Sequence, residues 1–353
     1  MPEQMNAAVL DQPLSIGVKR VEKPVPDDNE ALVKVHCIGI CGSDVHYYEH
    51  GKIGRYEVKE PIILGHELAG DVVAVGKDVT HIVPGDRVAV EPGMTCGTCK
   101  YCRAGRYNLC PDVEFMATPP VDGAWADYVT VRSDFLHKLP DPMSYEEGAL
   151  LEPFSVGYHA MKRGSVGPGD SVMIQGLGPV GLLAVQAAKL FGASKIYVSD
   201  VVDFRIQKAL DFGVDGVVRP ADGDVRRQLQ EISDGRGVDK IIETSGNHIA
   251  VADTVHLVNR GGTIVYVGLP VKEEIPMDIA ALVDAELDVF GVFRYVNTYP
   301  SAIEGLAQSG LDLKGIITDS YPLSDIETAV EKARKEKDKS IKIMIYPDGS
   351  GLE

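Results

Sequence analysis

The hexapeptide Gly176-Leu177-Gly178-Pro179-Val180-Gly181 constrains this chain most, because an apolar run ends on it and an amphipathic run starts from it. In that context Gly176 permits a tight turn, Gly178 lets a pyrophosphate approach the backbone, and Gly181 lets helix and strand pack closely. From Ser171 onward, short apolar runs alternate with longer amphipathic stretches, the pattern of stacked βαβ units. The expected strands are Ser171 to Gln175, Lys195 to Ser199, Gly216 to Val218, Val238 to Glu243, Thr263 to Gly268 and Leu287 to Val292. Six is the number a doubly wound dinucleotide fold uses. Pro179 to Phe191 and Val202 to Phe212 are expected helices, closed by Gly192 and Gly213 where a C-cap favours positive φ.

Asp200 ends the second expected strand, at the distance where a carboxylate accepts hydrogen bonds from the adenosine ribose. It would repel a 2'-phosphate, so NAD is expected over NADP. Arg205 either lies over the adenine or solvates its own helix.

Before Leu151 the texture is different. Val-dense runs such as Ala31 to Val35, Asp71 to Val75 and Arg87 to Val90 are broken by Gly, Pro and Asp, as in twisted antiparallel sheet. With 353 residues the chain can bury two cores, and the texture change puts a boundary near Leu151 to Arg163. The expected organisation is a mainly β domain from residues 1–154 and 293–353, and a doubly wound α/β domain from 155–292. The tail, with helical stretches at Ser301 to Gln308 and Ser324 to Lys335 and a strand at Ile341 to Tyr346, returns to the first domain. The charged run Glu331 to Lys339 reads as a solvated helix face.

A net charge of -17, from 52 acidic against 35 basic residues, argues against nucleic acid or an anionic membrane surface as partner. The first twenty residues lack the apolar run and cleavage site of a signal peptide, so a cytoplasmic location is expected. Val172 to Ala193 could span a membrane by length, but Gln175, Gln186, Lys189 and its glycines favour a strand followed by a helix.

All six cysteines lie between Cys37 and Cys110. Cys96, Cys99, Cys102 and Cys110 follow a C-x2-C-x2-C-x7-C spacing within one loop, which suits four thiolates around one zinc. That shell has no open position, so the ion it holds is structural. Cys37 belongs to neither motif and is expected in the core.

Two further segments, Gly39-Ile40-Cys41-Gly42-Ser43-Asp44 and Gly65-His66-Glu67-Leu68-Ala69-Gly70 with Gly76 after it, resemble those of the zinc-containing medium-chain alcohol dehydrogenases. That family joins a GroES-like catalytic domain to a Rossmann domain. The resemblance narrows to the sorbitol (L-iditol 2-) dehydrogenases through Gly42 to Tyr48, Ala117-Thr118-Pro119-Pro120, Leu151 to Gly157 and Val292-Phe293-Arg294-Tyr295. It covers about Met5 to Tyr346, and the retained four-cysteine loop is a bacterial trait of the group.

The resemblance implies zinc-dependent, NAD-linked oxidation of a polyol to a ketose. Relatives acting on simple alcohols usually supply a second catalytic cysteine where this chain has Glu152, and no cysteine follows Cys110. The expected ligands are therefore Cys41, His66 and Glu67, with Glu152 either a fourth ligand or bonded to a zinc water. Ser43 and His46 match the family's proton relay, competing with a water route through Glu152. Tyr47, Phe115, Thr118, Glu152, Arg294 and Tyr295 are implied to contact substrate, Phe293 and Arg294 the nicotinamide end of the cofactor, and a homotetramer is the usual assembly. Xylitol, arabinitol, butanediol and threonine dehydrogenases share these motifs, and a non-catalytic NAD-binding scaffold is the rival from another class.

Overall fold

The computed structural model describes residues 2–270, 272 and 274–352. The chain divides into two compact units, one of Met1–Glu152, Tyr299–Ala307 and Ile317–Glu353, the other of Pro153–Thr298 and Gln308–Ile316.

The first unit is built on a seven-stranded sheet. Glu30–Gly39 pairs antiparallel with Glu67–Val75, which pairs antiparallel with Arg87–Val90. Lys342–Tyr346, from the far end of the chain, lies antiparallel to Glu30–Gly39, with Met344 opposite Gly39 and Ile345 opposite Ile38. Alternate β-branched residues, Val33, Val35, Val72 and Val88 among them, are buried in one core with Ile343, Ile345 and Trp125. This sheet brings three distant segments, ending at Gly39, starting at Glu67 and starting at Lys342, to one place.

The charged run near the C-terminus is more than a solvated face. On the helix Ile326–Lys335, Glu331 accepts the Tyr48 hydroxyl at 2.9 Å, and Arg334 reaches Glu49 at 3.3 Å on the helix Gly42–His50. Hydrogen bonds from Lys335 and Arg334 hold the Glu331 carboxyl down to about 2. Apolar periodicity did not reveal this because the seam between the two helices is polar.

The second unit is a six-stranded, all-parallel sheet. Its spatial order is Gly216–Val218, Lys195–Ser199, Ser171–Gln175, Val238–Glu243, Val258–Tyr266, Asp288–Gly291, the 3-2-1-4-5-6 arrangement of a doubly wound dinucleotide fold. The order reverses between Ser171–Gln175 and Val238–Glu243, and ligands bind at such switch points. In such folds helices cover both faces of the sheet, which is why central strands read as unbroken apolar runs. Val225–Ile232 and His248–Leu257 are also helical, capped by Asp224 on the Arg227 N–H and by Asn247 on the Ile249 N–H. Among the described residues no helix is long and apolar enough to cross a membrane. Val172 to Ala193 is the strand and helix that flank the glycine turn.

Candidate metal centres and dinucleotide site

The four sulfurs of Cys96, Cys99, Cys102 and Cys110 form one cluster, with Cys96–Cys110 and Cys99–Cys102 at 3.5 Å and Cys96–Cys102 at 4.0 Å. Sulfurs at tetrahedral positions about 2.3 Å from a zinc lie about 3.8 Å apart, so the loop is shaped for that ion. The Cys99 N–H points at Cys96 Sγ at 3.4 Å, and the Cys102 N–H at Cys99 Sγ at 3.5 Å. Backbone and hydroxyl donors from Thr98, with the Cys99 N–H, bring the Cys96 thiol down to about 6. Near the loop's two ends, Tyr107 donates to Glu91, just past the strand Arg87–Val90, at 2.7 Å, and Arg132 donates to the Thr95 carbonyl at 2.7 Å.

Cys41, His66 and Glu67 place one donor atom each within 4.8 Å of the others. Cys41 precedes the helix Gly42–His50, while His66 lies just before, and Glu67 opens, the strand Glu67–Val75. Asp44, fully buried, joins the two segments. Its Oδ2 accepts the Cys41 N–H at 2.9 Å, and its Oδ1 accepts the Gly65 N–H at 3.1 Å while lying 3.6 Å from His66 Nδ1. Burial opposes the charged imidazole, but Asp44 and Cys41 outweigh it and hold the His66 pKa well above its ordinary value. Gly65 takes φ +86°, and a Cβ there would meet the Trp125 indole at 2.3 Å, so the turn that delivers His66 requires glycine. One thiolate, one imidazole and one carboxylate form a donor set that suits zinc and leaves a position open.

Two residues near this trio carried no role in the sequence. Asp44 lies three residues past Cys41, at capping-box spacing, which was its one available signal. Lys342 is the one charged residue of an otherwise apolar buried strand, and its Nζ lies 2.7 and 2.5 Å from the two Glu67 oxygens. Burial disfavours its charge, but Glu67, Cys41 and Glu152 more than offset this and raise its pKa.

The other implied residues are distributed differently. Glu152 is buried and close enough to act on Lys342 electrostatically, but it is outside the trio. The Phe115 ring packs edge-on against His66 at 5.5 Å, Tyr47 is buried, and Thr118 is half-buried. On the helix after Cys41, Ser43 is half-buried and His46 exposed, its ring 4.6 Å from that of His50. Burial and His50 lower the His46 pKa. Cys37 is fully buried, as expected of a core thiol. Phe293, Arg294 and Tyr295 belong to the second unit, Phe293 half exposed and Tyr295 buried.

In that unit the glycine turn borders a cavity of about 370 Å³, lined by Gly176, Asp200, Arg205, Ser245 and Asn247 among others. Asp200 Oδ2 accepts the Leu177 N–H at 2.6 Å, and Oδ1 accepts those of Val201 and Val202 at 2.7 and 2.8 Å. A carboxylate offers about four acceptor positions, so Asp200 can brace the turn and still receive a ribose hydroxyl. Gly181 cannot carry a side chain, since a Cβ would lie 1.9 Å from the Gly176 carbonyl oxygen.

The alcohol dehydrogenase GroES-like domain family matches residues 27–141, and the zinc-binding dehydrogenase family matches residues 179–308. The chain belongs to the zinc-binding alcohol dehydrogenase family. The first unit is therefore the family's GroES-like fold, the second its Rossmann fold, and zinc the metal its two donor clusters fit. Within the family, a sorbitol dehydrogenase of Bacillus subtilis is 48% identical over 350 residues, 99% of each chain. An Escherichia coli oxidoreductase/dehydrogenase of unknown specificity superposes with a TM-score of 0.93 at 40% identity, over 98% of this chain and 99% of that one. The 2R,3R-butanediol dehydrogenase of Bacillus subtilis superposes at 0.89 with 31% identity, over 97% and 99%.

Proposed function

We propose that the protein is a zinc-dependent, NAD-linked polyol dehydrogenase that oxidises a secondary alcohol to a ketone, of the sorbitol-to-fructose type. The observation that carries this reading is the donor set Cys41, His66 and Glu67, which contains one thiolate where a second is unavailable. Cys37 is buried apart from it and the other four thiols form the closed cluster. Fewer thiolates leave more positive charge on the metal. Likeness to the Bacillus sorbitol dehydrogenase supports the substrate class.

In this reading the first unit is the catalytic zinc domain and the second the dinucleotide domain. Cys96, Cys99, Cys102 and Cys110 hold a structural zinc; Cys41, His66 and Glu67 hold the catalytic one, with Glu152 as fourth ligand or as the orienting partner of a water. Bound zinc supplies Lewis acidity to an alcohol oxygen, and NAD accepts the hydride. Ser43 and His46 carry the released proton towards solvent, helped by the exposure of His46. Tyr47, Phe115, Thr118, Arg294 and Tyr295 contact the substrate, where hydroxyl-rich compounds need polar partners. Gly178, Val180 and the helix after them receive the pyrophosphate, Asp200 the adenosine ribose, Arg205 the adenine side, and Phe293 and Arg294 the nicotinamide side.

The assembly is a homotetramer in the cytoplasm. Supporting association, among the described residues the strand Asp288–Gly291 is paired on one side only, and Val283, Val289 and Phe293 near it are exposed. The metal-spaced thiols support a reducing compartment. A smaller diol is the second reading, supported by likeness to the butanediol dehydrogenase. Chelator treatment separates enzyme from scaffold: it should abolish alcohol-dependent NADH formation, and added zinc should restore it.

A further inference from the structure

Glu67 is held by a lysine from the opposite end of the chain. The Lys342 ammonium donates to the Ile40 carbonyl at 2.9 Å and lies 2.7 and 2.5 Å from the two Glu67 oxygens. Both side chains are 1% exposed, so no solvent screens the pair. The berth exists because residue 39 is glycine: a Cβ on Gly39 would lie 2.0 Å from Glu67 Oε2. A Glu67 oxygen is also within 4.8 Å of the Cys41 and His66 donor atoms. The same carboxylate is therefore within reach of both the ammonium and the other two donor atoms of the trio.

We propose that Lys342 is a positioning residue that competes with zinc for Glu67, weakening the bond this carboxylate makes to the metal. This rests on the reading of Cys41, His66 and Glu67 as zinc ligands. A buried carboxylate without a cation is strongly unfavourable. In the metal-free protein Lys342 compensates Glu67, and in the zinc-loaded protein two cations share it. The shared carboxylate donates less charge to zinc, which keeps the metal a stronger Lewis acid and also easier to lose. A lysine that merely braced the sheet would affect stability and leave the metal's hold unchanged.

The test compares the full-length wild type with Lys342→Met and Lys342→Arg, loaded with zinc and, in parallel, with cobalt. Metal loss to a chelator is timed, the cobalt d–d bands report coordination, and zinc per chain is counted. The expected result is that Lys342→Met releases its catalytic metal at least about tenfold more slowly and shifts the cobalt bands, with Lys342→Arg close to wild type. Metal loss from Lys342→Met as fast as from wild type, or faster, overturns the proposal. If Lys342→Met proves insoluble in every form, Lys342→Gln, which keeps a donor to Ile40, carries the same expectation and the same overturning result. A wild type holding metal in the four-cysteine cluster alone would sink the ligand reading itself, and the count separates that failure from failure of the competition.

Discussion

Asp44 Oδ1 lies 3.6 Å from His66 Nδ1 while its Oδ2 accepts the Cys41 N–H at 2.9 Å, so one buried carboxylate links the backbone of one residue of the donor trio to the side chain of another 25 positions away. Partners of this kind typically contribute 10- to 100-fold to metal affinity. Asp44→Ala is expected to lose catalytic zinc by about that factor while keeping the four-cysteine zinc. Competition with a graded chelator, read by zinc counting, checks this; equal loss from both sites would show that Asp44 supports the fold instead.

Gly39→Ala tests the Glu67 berth from the other side. The new methyl would overlap Glu67 Oε2, and overpacking of this sort costs about 1–3 kcal/mol. The variant should show a lower melting temperature and reduced catalytic metal content. Unchanged values of both would mean that Glu67 moves without consequence.

Cofactor choice depends on Asp200. Losing a hydrogen bond to a charged group costs about 1.5–3 kcal/mol, so Asp200→Ala should raise the KM for NAD by roughly 10- to 100-fold. Close by, Arg219 is paired with Asp203 in a groove that Asp200 also lines. Asp200→Ala/Asp203→Ala removes both acids and leaves Arg219 for a 2'-phosphate, so the NADP-to-NAD ratio of kcat/KM should rise further in the double variant. Steady-state kinetics with both cofactors decide it, and an unaltered ratio would contradict the ribose assignment.

Acid should destabilise the second unit through His159. Burial, then Arg163 and Lys162, bring its pKa down to about 4, and among the described residues its Nδ1 has no hydrogen-bond partner. The unfolded chain, with an ordinary histidine pKa near 6.5, binds more protons across the interval between those values. Stability therefore falls as pH drops from about 6.5 to 4 and loses nothing more from this group below that, at most about 3 kcal/mol in all. Urea midpoints of wild type and His159→Asn across that range should converge towards pH 4; parallel curves would contradict the assignment.

Much of the second unit was legible because its signals are local. Ser171–Gln175, Lys195–Ser199, Gly216–Val218 and Val238–Glu243 are strands over the expected residues, since each is an apolar run bounded by turn residues. Asn247 and Asp224 start helices that periodicity missed: Val225–Ile232 is short and mostly polar, and His248–Leu257 has too many apolar positions to show a face. At the metal centres, spacing pointed to the four-cysteine set and family resemblance to Cys41, His66 and Glu67, whose donor atoms the fold gathers. Spacing could not identify Lys342, because its partner Glu67 is 275 positions away and the antiparallel pairing with Glu30–Gly39 brings them together. Nor could it assign Asp44, whose role comes from burial between two segments, at Cys41 and at Gly65 to His66.

The most direct measurement is NADH formation from a panel of sorbitol, xylitol, arabinitol, butanediol, ethanol and threonine, run before and after chelation with zinc counted in the same samples. The expected result is polyol-dependent NADH formation in protein carrying zinc at both clusters, lost on removal of the catalytic zinc and regained on its return. Turnover that survives complete zinc removal, or no turnover of any polyol by zinc-replete protein, would contradict the account.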